Sequence, residues 1–298
     1  MANLVLLIVC FFVGVVARRA GTLPDDSHRA VNAWVMFVSL PALVFRSIHG
    51  VTLDGLLLGA SATLWLVFLV PATVAFLLVR RGGSKEQLGA VSLCAGLGNT
   101  AFVGLPLIEA VAGKEALGPA AVVDQLGSFL ALFFFAIPFA TLLGGRKVSF
   151  GQSLLKLARS PALVALGLAL VLRDVTVPAS VGAVLGRLAD MLSPLALASI
   201  GWQLDLSALA GNGKRIAVGL TWKLVLAPAM VLGILLLWRG QLGFVERVVV
   251  AQAAMAPMVT AGVVAADNKL APGLAAAMIA VGVPLSLLTV SLWWRLIS

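Results

Sequence analysis

The 298-residue chain is 61% hydrophobic and only 11% charged, which excludes a soluble domain, where about 25% of residues are charged. Its net charge of +9 has no basic surface domain to occupy. That argues against a nucleic-acid partner and reads instead as loop charge facing anionic lipid and the cytoplasm. Apolar runs bounded by charge and turn residues predict ten membrane spans, at about 20 residues each.

In chain order the predicted spans are about 2–17, 29–48, 55–79, 87–112, 117–143, 160–172, 179–203, 215–238, 246–266 and 271–296. The first has its charges, Arg18 and Arg19, after the apolar run rather than before it. That is the pattern of an uncleaved span with its N-terminus outside. Lys and Arg in the loops after odd-numbered spans outnumber those on the other side. The positive-inside rule then puts those loops in the cytoplasm, with both termini outside and the protein in the plasma (cytoplasmic) membrane. The central loop over 144–160, "GGRKVSFGQSLLKLARS", is the most basic of them.

The two halves of the chain echo each other. Pro41 and Asp54 match Pro194 and Asp205, Pro71 matches Pro228, and Glu86 matches Glu246. The expected fold class is therefore an all-α polytopic membrane protein of ten transmembrane helices, arranged as two inverted five-helix repeats. The repeats are expected over 1–143 and 160–298, with a linker over 144–159.

Within the fourth span, "CAGLGNTAFVGLPLIEA" (94–110) places the helix breakers Gly98, Gly104 and Pro106 around Asn99 and Thr100. The ninth span, "VVVAQAAMAPMVTAGVVAADNK" (248–269), carries Pro257 and Thr260 at matching depth. Irregular backbone at this depth is tolerated only inside protein or beside a cavity. Two spans broken in matching positions point to the binding site of a transporter. We therefore expect unwound segments over 98–106 and 257–262 that cross near the midplane. Half-helix N-termini there would bind a carboxylate or phosphate without a cationic side chain. Asn99 adds amide donors, and Thr100 and Thr260 add hydroxyls.

Other polar residues fall inside spans. Lys223 is an intramembrane cation, read either as a partner for a substrate anion or Asp124, or as a structural cation bonded to backbone carbonyls. Asp124, followed by Gln125, is read as a proton or sodium site near the crossing or as a carboxylate at a helix N-terminus. Gln252, with Asn99, Thr100 and Thr260, could supply oxygens to a sodium ion. Arg187 and Asp190 stand at ion-pair spacing. Cys10, Cys94, His28 and His49 lack metal spacing, so no metal and no cofactor is expected.

The segments "GNTAFVGLPL", "SLPALVF", "LASIGWQLDL", "KLVLAPAM" and "AMAPMVTAGVVAADN" resemble the auxin efflux carrier family of membrane transporters. That family includes plant auxin exporters and bacterial permeases for malonate and related acids. The resemblance covers essentially the whole chain. It implies crossed fourth and ninth helices, a scaffold of spans one, two, six and seven, and a moving transport domain of the other six. It also implies a homodimer, an elevator-like motion, and a substrate carboxylate held by Asn99 and the Pro257–Ala261 crossover (Pro257, Met258, Val259, Thr260, Ala261). Thr100 and Ala101 adjoin that set.

The expected function is secondary transport of a small organic anion, a mono- or dicarboxylate, with coupling to protons or sodium left open. A sodium-coupled symporter resembling the bile-acid carriers is the alternative within transport. A channel or membrane sensor is the alternative outside it, although no ring of charge or carbonyl filter repeats in the sequence. An intramembrane enzyme would need clustered acids or a paired nucleophile and base. The one acidic pair, Asp25-Asp26, sits in a loop.

Overall fold

The computed structural model describes residues 2–21, 24, 26–49, 51, 54–145, 158–203 and 211–298. Their regular structure is helical: α1 (Ala2–Ala20), α2 (Ser27–Ile48), α3 (Gly55–Arg80), α4 (Lys85–Gly96), α5 (Thr100–Ala112), α6 (Lys114–Leu143), α7 (Pro161–Val171), α8 (Ala179–Trp202), α9 (Gly213–Arg239), α10 (Phe244–Ala253), α11 (Val259–Asp267) and α12 (Pro272–Ile297). Most of the central basic loop (146–157) lies outside the described residues, as do Asp25 and Asp205.

Six of these helices, α2, α3, α6, α8, α9 and α12, are long and apolar enough to cross a membrane. This corrects the expectation of ten transmembrane helices in two inverted five-helix repeats. The reason is geometric. The predicted fourth span is two pieces, α4 and α5, and the predicted ninth is α10 and α11. At 1.5 Å per residue, none of these short pieces reaches the ~30 Å of a hydrocarbon core. The predicted sixth span is α7, a helix of 11 residues. Helix α1, in which the side chains of residues 2–4 are outside the description, is not among the six. The chain is an integral membrane protein with multiple spanning helices, and its apolar side chains also point outward. Leu237 is 91% exposed and Leu296 74%, as expected where the surrounding solvent is lipid.

Lipid offers no hydrogen bonds, so every backbone group the sequence frees must be satisfied by protein. Pro71 cannot donate to the Val67 carbonyl one turn before it; the indole Nε1 of Trp222 does so from α9, at 3.3 Å. Pro228 likewise deprives the Leu224 carbonyl, and Trp293 of α12 donates to it at 2.9 Å. Two prolines that would loosen α3 and α9 thus fasten them to neighbouring helices. Trp222→Phe should cost about 1–3 kcal/mol by leaving a buried acceptor unmet. Thermal unfolding of the purified protein checks this, with Trp34→Phe, at a site exposed on α2, as the near-neutral control.

Small residues set the closest helix contacts, as is usual in membranes. Helix α1 lies on the C-terminal half of α8 so closely that a Cβ on Gly14 would overlap the Ala198 carbonyl. One on Gly201 would overlap that of Phe11. Helix α2 packs on α7 and α8, whereas α3 packs mainly on α4 and α6, and α9 on α10. The Asp54 carboxylate caps α3 through the Leu57 N–H at 2.8 Å, an N-cap of the usual kind.

Candidate functional site at the helix crossing

Helices α4 and α10 both stop in mid-fold. The chain crosses there in two short extended segments, with Gly98 opposite Pro257 in an antiparallel bridge. Two backbone bonds tie them, Asn99 N–H to Ala256 O at 2.7 Å and Met258 N–H to Leu97 O at 3.0 Å. The breaks are shorter than expected. Helix resumes at Thr100 and at Val259, so Gly104 and Pro106 lie inside α5 and not in the unwound segment. Gly104 instead admits the Gln252 side chain, whose Oε1 would meet a Cβ there at 2.5 Å. Gly282 on α12 serves Pro257 in the same way.

Around the crossing lies a buried polar cluster. The Asn99 side-chain oxygen accepts from the Phe102 N–H at 3.2 Å, capping α5. Its Nδ2 is buried with no hydrogen-bond partner among the described residues. Thr100 Oγ1 donates to Asp124 Oδ1 at 2.5 Å, and Gln125 Nε2 donates to Asp124 Oδ2 at 2.7 Å. Gln252 Nε2 reaches the carbonyls of Ala120 at 3.2 Å and Thr100 at 3.4 Å. The Oε1 atoms of Gln125 and Gln252 have no partner among the described residues. Lys223 Nζ donates to the Ala253 carbonyl at 3.0 Å. It makes no pair with Asp124, whose two oxygens accept from Thr100 and Gln125. Val259 and Thr260 are half-buried in the first turn of α11, and Ala261 is buried behind them.

Three of these residue groups sit where the helix widens to i→i+5 hydrogen bonding. These are Thr100–Gly104, Val123–Phe129 with Asp124 and Gln125, and Trp222–Leu226 with Lys223. Such π turns are frequent at functional sites, and nothing in the hydropathy pattern marks them. Arg187 and Asp190 do not pair; the ion pairs among the described residues are Arg173–Asp174 and Arg239–Glu246.

Two cavities flank the crossing, and sequence reasoning missed both. One, of about 480 Å³, lies between α5, the start of α6 and the α1–α2–α8 group. Arg46, Glu109, Lys114, Glu115 and Asp190 line it. The other, of about 310 Å³, lies between the C-terminal end of α8 (Ile200, with the following Gln203) and α11–α12, including Val259 and Gly262. The first reaches the start of α6, which supplies Lys114 and Glu115 to its lining. Gly118 near one end of that helix packs on Ser47, and Gly144 just past the other packs on Asn268. The cavities are lined by residues from helices far apart in the chain and brought together in space, so no local pattern could have revealed them.

A family model described as membrane transport protein matches residues 1–294. The chain belongs to that family. The transporter is 26% identical over 294 residues to an uncharacterised transporter of Methanothermobacter thermautotrophicus, covering 96% of this chain and 95% of the relative. It is 25% identical over 311 residues to an uncharacterised transporter of Methanocaldococcus jannaschii, covering 98% and 97%. It is thus a polytopic membrane transporter related to the auxin efflux carriers, and its family assigns it to transport rather than to catalysis.

Proposed function

We propose that the transporter moves a small organic anion, a mono- or dicarboxylate of the malonate or auxin kind, whose carboxylate binds at the crossing. The observation that carries this reading is Asn99 Nδ2. It is a buried donor without a partner, in a residue only 2% exposed, placed where α5 begins. A buried amide left unpaired is costly, and an incoming carboxylate would satisfy it. The free N–H groups at the starts of α5 and α11 would add to the same attraction. Thr100, Ala101 and the Pro257–Ala261 segment (Pro257, Met258, Val259, Thr260, Ala261) complete the proposed binding surface.

The mechanism we favour is elevator-type alternating access. Helices α3–α6 and α9–α12 would carry the crossing past a fixed set of α1, α2, α7 and α8. Both cavities lie along the seam between these two sets, which supports sliding of one set on the other. We place a homodimer contact on the fixed set, where Phe37, Val164 and Leu168 are exposed. Both termini are outside in this reading and the basic loop over 144–160 is cytoplasmic. A single cysteine placed in that loop should resist membrane-impermeant maleimide in intact cells and react after permeabilisation. Reaction in intact cells would reverse the orientation.

The test of function is exchange in proteoliposomes, with labelled malonate, succinate or indole-3-acetate. Saturable exchange by folded protein is expected for at least one of these acids. Folded protein that exchanges none of them would remove the carboxylate reading.

A further inference from the structure

The Lys223 side chain places its amino group where charge is expensive. The residue is 1% exposed, yet among the described residues it pairs with no carboxylate and donates to a backbone carbonyl. That carbonyl belongs to Ala253, the last residue of α10. The last four carbonyls of a helix lack intrahelical donors, and together they present roughly half a negative charge. Helix α4 ends at the same point. A Cβ built on Gly98, two residues beyond that end, would lie 3.0 Å from Lys223 Nζ and 3.5 Å from the Gln252 carbonyl. The ammonium therefore sits at the C-terminal end of α10 and beside the extended segment that follows α4, at the crossing itself. The i→i+5 turn over Trp222–Leu226 lies at the same place in α9.

Unwound carbonyls and half-helix C-termini are what broken-helix transporters use to hold a coupling cation. We propose that the tethered ammonium of Lys223 fills such a cation site permanently, so that the transporter binds no sodium and runs without it, and that deleting the ammonium turns the position into a sodium site. The carbonyls of Gln252 and Ala253 would be the first oxygens offered to the ion. The unpartnered Oε1 of Gln252, on the same residue, is a further buried oxygen without a donor. An ammonium and a sodium ion carry the same charge and both seek carbonyl oxygens. They differ in that the ammonium is covalently held and cannot dissociate during a cycle.

This inference rests on reading the crossing as the transport centre, but its test uses no organic anion. Purified wild type, Lys223→Ala and Lys223→Gln are unfolded thermally in sodium chloride and in choline chloride at equal ionic strength, and binding of radiolabelled sodium is measured on the same samples. The wild type should melt at the same temperature in both salts and retain no sodium. Lys223→Ala and Lys223→Gln should gain a saturable rise of several degrees in sodium alone, together with retained sodium. Sodium stabilisation of the wild type would overturn the proposal, as would folded variants indifferent to sodium. If neither variant folds, the wild type decides, with sodium binding refuting the proposal and its absence supporting it. Failure of every carboxylate to exchange would count against the proposed substrate and leave these sodium results as they stand.

Discussion

Asn99→Ala should lower carboxylate exchange at least tenfold while the protein stays folded. The substitution removes two things at once: a cap on the Phe102 N–H and the unpartnered Nδ2 at the crossing. The cap is worth about 1 kcal/mol of stability, a small fraction of what holds a protein of this size. The hydrogen bond from Nδ2 to a carboxylate is charge-assisted and worth about 1.5–3 kcal/mol, which corresponds to roughly 10–150-fold in affinity. Asn99→Asp separates the two roles. It keeps a capping oxygen, replaces the donor by an acceptor or a negative charge, and should abolish exchange without loss of fold. Substrate-induced stabilisation, measured as the rise in melting temperature with malonate, succinate or indole-3-acetate, reads binding apart from turnover. Binding by Asn99→Ala equal to that of wild type would take the crossing out of the proposed mechanism.

Gly201→Leu should prevent assembly of a stable transporter. A Cβ at that position overlaps the Phe11 carbonyl, which is backbone and cannot rotate away. Relief requires α1 to move off α8, giving up the contact at Gly14 as well. Overpacking usually costs about 1–3 kcal/mol where side chains can yield, and a clash with backbone should lie at or beyond the upper end of that range. The informative control is Gly233→Leu on α9, where an added Cβ meets nothing within 4 Å. Monodispersity on size-exclusion chromatography and the melting temperature check both. A Gly201→Leu protein as stable as wild type would mean that α1 is free to lie elsewhere.

The residues that matter at the crossing were legible one at a time. Gly98 and Pro257 stand out because breakers inside an apolar run conflict with an uninterrupted helix, and a conflict of that kind at membrane depth has few explanations. Lys223, Asp124 and Gln252 stand out because polar groups are costly in hydrocarbon. Their partners were not legible. The Lys223 ammonium goes to Ala253, 30 residues away in sequence, and Asp124 goes to Thr100 and Gln125. Each choice depends on which helix faces which.

Composition alone determined that this chain lives in a membrane, because 61% hydrophobic residues leave too little polar surface to face water. Local chemistry determined where helices cannot continue, because proline lacks a donor and glycine lacks a side chain whatever surrounds them. The number of long spanning helices was a different kind of quantity. Counting apolar runs gave ten, because hydropathy is blind to a backbone that leaves the helix for three or five residues and then resumes. Only the tertiary structure decided that those interruptions meet, that two indoles repair the carbonyls two prolines abandon, and that cavities open on either side of the meeting point. These are contacts between segments far apart in the chain. Their energies depend on distances that no single stretch of sequence contains.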